Sequence, residues 1–257
     1  MVGRVNWTED EVKRALYLYF QLPFGQLHSG NGEIIALANA LGRTPSSVAM
    51  KLSNFASLDP VITASGRKGL SGASALDRRV WEQFDGDWTK LVIHVGVNAA
   101  NESAEPKDRV EEDRASYLFE TPSGATTTRT EVEIRIGQSF FRRSVLANFE
   151  NTCCVTGIAD ARLLNASHIS PWTGDVVNRH NPRNGLSLSA TFDRAFDRCL
   201  MTVTPDLTVR LSSQLLDSKS EETRQHFLPF DGVKLKSPTH LAIDVTLLKQ
   251  HNAQFIS

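Results

Sequence analysis

Cysteine is scarce in this 257-residue chain: there are three, two adjacent at Cys153 and Cys154 and one alone at Cys199. Three thiols so placed make no disulfide framework, and they lack the two pairs on which a structural zinc ribbon is built. They read as core or near-core thiols. Long apolar runs are missing as well. Nothing approaches the roughly 18–20 residues of a membrane span. The opening residues, MVGRVNWTEDE, contain no apolar signal segment and turn charged at once, so a cytoplasmic protein in a reducing compartment is expected. Excess charge of one sign is also absent. Lys and Arg number 28 against 29 Asp and Glu, net −1, which argues against a nonspecific basic coat for nucleic acid but leaves room for a local basic groove. No internal repeat is visible.

What is present is enough apolar material for a packed core, 40% of residues, in one large or two modest domains. Residues 5–57 read as helical. Thr8 and Glu11 form a capping box ahead of Val12, Ala15, Leu16, Leu18 and Tyr19. A second helix is expected over Glu33–Leu41, stopped by Gly42. A third opens at Thr44-Pro45 with Pro in the first turn and carries Val48, Met50, Leu52 and Phe55. Helix, glycine turn and a Ser/Thr/Lys-decorated helix outline a helix-turn-helix unit. The WTEDE opening and the LGRTPSSVAMKL helix resemble a Myb/SANT-type trihelical domain, a kind that also binds protein. Its polar candidates for DNA contact are His28, Arg43, Ser46, Ser47 and Lys51. Tyr17, Tyr19, Phe20 and Phe24 read as core aromatics. Ser74–Phe84 is a further capped helix.

A polar stretch follows. Nine of the fourteen residues 101–114 are charged, and Thr121–Thr130 is rich in Thr, Pro and Gly. This reads as a linker over 97–128, between a domain at 1–96 and another at 129–257. In the second domain Glu131–Ile136 alternates like a strand, and Ser139–Phe149 is an amphipathic helix with Phe140, Phe141, Val145, Leu146 and Phe149 inward. Cys153–Thr156 and Leu163–Ile169 are expected as short strands around a turn at Gly157–Arg162. Ala190–Cys199 is expected as a helix, with a hairpin at Met201–Thr204 and Leu207–Leu211.

The stretch Cys154–Leu200 carries the chemistry. A strand ends in Ser167-His168-Ile169-Ser170-Pro171-Trp172. Asn184 follows 16 positions after His168, in Asn184-Gly185-Leu186, and Asp193 and Asp197 lie nine and thirteen positions past Asn184. A lone His is more often a satisfied core residue than a catalytic one; the Asn and Asp downstream single His168 out. Imidazole titrates near neutral pH and suits a general base. Asp193 and Asp197 share a helix face, and their hard oxygens suit Mg²⁺ or Mn²⁺; alternatively Asp197 salt-bridges Arg194 or Arg198. Asn184 pins a loop through its amide, with or without a catalytic consequence. Pro171 and Trp172 fix the turn after the His.

These words, CVTG…HISPW…NGLSL…DRAFD, resemble the HNH endonuclease family, strongly over residues 138–212. The resemblance implies a ββα-metal core. His168 would be the general base and Asn184 the residue that orients its loop. Asp193, with Asp197 and Ser167, would hold one Mg²⁺ (or Mn²⁺ or Ni²⁺) per site. Two departures stand out: the family most often has His where Asp193 stands, and many members have an acidic ligand or His where Ser167 stands. Arg142, Arg143, Arg194 and Arg198 are candidates to clamp phosphate, joined by Arg43 and Lys51 in the first domain. The fold class expected is α+β, a helix-turn-helix/SANT-like domain followed by an HNH nuclease domain. The function expected is hydrolysis of double-stranded DNA, acting as a homodimer, in a restriction enzyme that includes the modification-dependent type. The alternative is a DNA- or protein-binding regulator built on an inactive HNH core.

Overall fold

The computed structural model describes residues 6–97 and 129–255. Of the expected linker, everything beyond Val97 lies outside them. The N-terminal part is helical: α1 (Glu9–Tyr19), α2 (Gly32–Ala40), α3 (Pro45–Ala56), α4 (Pro60–Ala64), α5 (Ala75–Phe84) and α6 (Trp88–Leu91), the last running into a π-helical turn, Val92–Val97. The local signals act as read. Thr8 and Glu11 form both halves of a capping box, Thr44 caps α3 with Pro45 in its first turn, and Ser74 caps α5. The inward faces build one apolar cluster from Val12, Leu16, Tyr19, Ile34, Val48, Leu52, Phe55, Ile62, Val80, Phe84 and Trp88.

After the undescribed stretch comes α7 (Arg129–Asn148). The strand expected at Glu131–Ile136 is therefore the first part of a 20-residue helix. A run of alternating residues that short cannot by itself separate strand from helix. Gly137 within α7 is a place of close approach: a Cβ there would come within 2.2 Å of His180 Nε2.

The chain then forms β1 (Leu164–His168) and β2 (Gly185–Ser189), antiparallel, with Leu164 opposite Ser189 and His168 opposite Gly185. Helix α8 (Ala190–Asp197) follows β2 directly. The order strand, strand, helix is as expected, but one strand differs. Cys153–Thr156 is a turn region rather than a strand, closed by Gly157 N–H donating to the Cys153 carbonyl at 3.0 Å. The second strand is the buried GLSLS segment. Gly185 is required there by packing: a Cβ would lie 2.2 Å from Val145 and 3.0 Å from the Phe141 ring. A hairpin, β3 (Met201–Val203) with β4 (Val209–Leu211), and helices α9 (Ser213–Leu216), α10 (Glu221–Phe227) and α11 (Val245–Asn252) complete the C-terminal cluster around Phe149, Leu186, Phe192 and Phe196.

Helix α7 serves both clusters. Phe140 packs in the N-terminal one and Phe141 in the C-terminal one, while Leu241 reaches across into the N-terminal cluster. A buried polar contact runs alongside: Tyr19 donates to Asp59 at 2.9 Å, and His240 Nδ1 lies 3.2 Å from the Tyr19 hydroxyl. Among the described residues no helix is long and apolar enough to cross a membrane.

Candidate active site

Strand β1 alternates its side chains, so Asn165 and Ser167 share a face. Helix α8 packs against β1 and β2 and presents Asp193 from its first turn, where the helix dipole favours a carboxylate. The three side chains meet. Asn165 Nδ2 donates to one Asp193 oxygen at 2.6 Å, and Ser167 Oγ donates to the other at 2.6 Å. Ser167 is almost wholly buried, so it braces the carboxylate from beneath. Asn165 is the member that sequence reading missed; its same-face spacing to Ser167 was the available signal.

His168 ends β1. Its ring lies flat on Phe141 of α7, centroids 3.6 Å apart and 8° between planes, with Trp172 edge-on at 5.6 Å. Nε2 is 3.1 Å from the Arg179 carbonyl. A carbonyl only accepts, so Nε2 carries the proton and Nδ1 of the neutral ring is left with its lone pair. Burial pushes the imidazole pKa down to about 4; the Arg179 carbonyl opposes this, nearby His180 adds to it, and the charge of Asp193 opposes it. The ring is therefore neutral throughout the neutral range, with Nδ1 unprotonated.

Asn184 is fully buried and stitches the loop between the strands. Its Oδ1 accepts from Ser170 N–H at 2.7 Å, and its Nδ2 donates to the Ser170 and Asn178 carbonyls at 3.1 Å each. Its own carbonyl accepts from Ile169 N–H at 2.9 Å. The backbone that follows His168 is thus fixed by one residue.

The remaining candidates divide. Asp197 lies one turn beyond Asp193 at the surface of α8. Partial loss of hydration and then the Asp193 charge push its carboxyl up to about 6, against Arg194 and Arg198. Arg194 and Arg198 are exposed on that helix. The other basic candidates have partners within the chain. Arg142 donates to the Leu164 and Ala161 carbonyls at 2.9 and 3.1 Å and so holds the approach to β1. Arg143 pairs with Glu33 of α2. Arg43 grips both oxygens of Glu11 at 2.8 Å and stacks over Trp7. Lys51 is buried and paired with fully buried Asp77 at 2.6 Å. Internal partners hold these four cations, and Lys51 has no exposed head to offer a phosphate.

Among the described residues no group of three or more His, Cys, Asp or Glu side chains could hold a metal. The Asp193 carboxylate is the hard oxygen donor there that suits a small divalent cation completed by water and phosphate oxygens, with Ser167 Oγ against one of its oxygens and Asn165 Nδ2, an N–H donor, against the other. Cys153 and Cys154 are buried; Cys153 Sγ accepts from Ser189 N–H at 3.2 Å.

The site is thus a two-stranded antiparallel hairpin capped by a helix, with a neutral His at the strand end and a carboxylate on the helix. Over this segment the family comparison finds a match: residues 153–204 fit the model of the HNH endonuclease family. No curated protein matches the chain.

Proposed function

We propose that this protein is a divalent-metal-dependent DNA endonuclease that hydrolyses phosphodiester bonds with His168 as general base. The observation that carries this reading is the state of His168: Nε2 tied to the Arg179 carbonyl, the ring held neutral, and Asp193 close enough for its charge to be felt at the imidazole. Nδ1 takes the proton from the attacking water. Asn184 keeps the base at the end of its strand. Asp193, steadied by Asn165 and Ser167 and aided by Asp197, would hold the cation. Bound there, a divalent ion supplies charge neutralisation on the phosphate and on the leaving 3′ oxygen. Arg194 and Arg198, exposed beside Asp197, steer the DNA backbone. One such site cuts one strand, so a double-strand break calls for two copies, and a homodimer is the simplest source. The helical domain over residues 1–96 selects the target, in a restriction enzyme that includes the modification-dependent type among its forms.

A second reading draws on one specific observation. Both Asp193 oxygens already accept hydrogen bonds from within the chain, as in an inactive HNH core kept as a DNA- or protein-binding regulator. One assay separates the two. Supercoiled plasmid, unmodified, methylated or hydroxymethylated, is incubated with the protein and Mg²⁺, Mn²⁺ or Ni²⁺, with a chelator as control. Nicked or linear product that His168→Ala does not make supports the enzyme; absence of product on every substrate and metal overturns it.

A further inference from the structure

The loop from Ile169 to Asn184, on which His168 depends, is gripped from the N-terminal helical unit at two points. His180 Nδ1 lies 3.1 Å from Thr89 Oγ1 of α6. Arg183 reaches Asp85, just beyond α5, at 3.3 Å. The first grip leads to the base through rings. His180 is wedged against α7, where Gly137 leaves no room for a side chain. It meets Trp172 edge-on at 5.5 Å. Trp172 in turn meets His168 edge-on at 5.6 Å. Arg179 tightens the same corner: it lies over the Trp172 ring, donates from Nε to the Trp172 carbonyl at 2.8 Å, and offers its own carbonyl to His168 Nε2.

We infer that Thr89 and His180 are positioning residues for His168, so that the N-terminal helical unit forms part of the cutting site as well as any targeting surface. This rests on the nuclease reading above. Neither residue touches the reacting atoms. They limit where Trp172 can sit, and Trp172 limits the tilt of the imidazole. A ring that is free to tilt loses the alignment of Nδ1 with the attacking water, and misplacement of a reacting group on the order of 1 Å costs about a hundredfold in rate.

Three single variants of the full chain test this: Thr89→Val, which keeps shape but removes the hydroxyl; Thr89→Ser, which restores it; and Gly137→Ala, which forces the His180 ring to move. Thermal midpoints establish that each is folded. With plasmid DNA and Mn²⁺, Thr89→Val and Gly137→Ala are expected to lose about tenfold to a hundredfold in kcat with KM for DNA unchanged, and Thr89→Ser to match the wild type. Hydrogen exchange supplies a readout that needs no activity. The Ile169 and Ser170 amides, both bonded to Asn184, should exchange faster in Thr89→Val and Gly137→Ala and at the wild-type rate in Thr89→Ser. Wild-type kcat together with wild-type exchange in Thr89→Val and Gly137→Ala overturns the inference. If the wild type itself cuts nothing, the nuclease reading falls, and the exchange rates alone decide the positioning role.

Discussion

The two halves of the molecule treat their polar side chains in opposite ways. In the N-terminal helical unit the notable ones are spent on one another: Lys51 on Asp77, Arg43 on Glu11, and Tyr19 with Asp59. Around the β1–β2 hairpin they are held but left with something to give. His168 has one ring nitrogen fixed and the other unprotonated, and Arg194 and Arg198 stand exposed beside Asp197, whose carboxyl is pushed up to about 6. The first arrangement lowers the energy of the fold; the second keeps chemistry available at some expense to it. Residue type alone therefore says little about role: Arg43 is held by Glu11, while Arg194 and Arg198 stand exposed.

The sharpest way to break this contrast is at Asp193 and His168. Asp193→Ala should abolish cleavage and weaken Mn²⁺ binding measured by calorimetry; unchanged affinity would move the metal site elsewhere. His168→Ala should cut the rate by about 10²–10⁴ with fold and DNA binding intact, and a folded variant cutting at the wild-type rate would remove His168 from the mechanism.

In the N-terminal half the matching change is Lys51→Ala. It leaves Asp77 buried without its partner, and denaturant titration should show a loss of about 3–5 kcal/mol. Cleavage per folded molecule should hold; loss of DNA affinity at unchanged stability would return Lys51 to the DNA-facing surface. Asn165→Ala, which removes one brace from Asp193, should lower metal affinity or rate by about 10–100-fold. An unaltered Mn²⁺ titration would make Asn165 a bystander.

The smallest effect is in pH dependence. His168 titrates at about 4 in the folded protein against about 6.5 in an unfolded chain. The unfolded state takes up the proton first, so this contribution to stability is complete above about 6.5 and is lost as pH falls towards 4. Asp197 has the opposite sign. Its folded value is raised to about 6, so the folded state holds its proton longer, and stability is lost as pH rises from about 4 through 6. Denaturation midpoints across pH 4–7 for the wild type, His168→Ala and Asp197→Asn should separate the two slopes; parallel curves for all three would contradict both.

Much of the helical half was legible because its signals are local. The capping box at Thr8 and Glu11, Thr44-Pro45 and Ser74 each act within one turn of chain, and the helices begin where those residues stand. The site was legible in its spacing, which brought His168, Asn184 and Asp193 to notice together. The misreadings share a cause. Glu131–Ile136 has a strand-like pattern and is helix, because its partners are the π-helical turn and the N-terminal cluster rather than a neighbouring strand. Cys153–Thr156 yielded its expected place in the sheet to GLSLS, whose glycine alone lets α7 approach. Other pairings were not legible at all: nothing nearby in sequence reveals Asp77 and Glu11 as the partners of Lys51 and Arg43.

The sequence by itself determined which residue types carry the chemistry and the chain spacing at which they recur, since motif words and caps are local or nearly so. Only the tertiary structure decided which ring nitrogen of His168 keeps its lone pair, that Asn165 joins Ser167 in holding Asp193, and that Thr89 stands behind the loop that follows His168. Each of these depends on a contact between chain segments brought together by packing, and no local signal encodes such contacts.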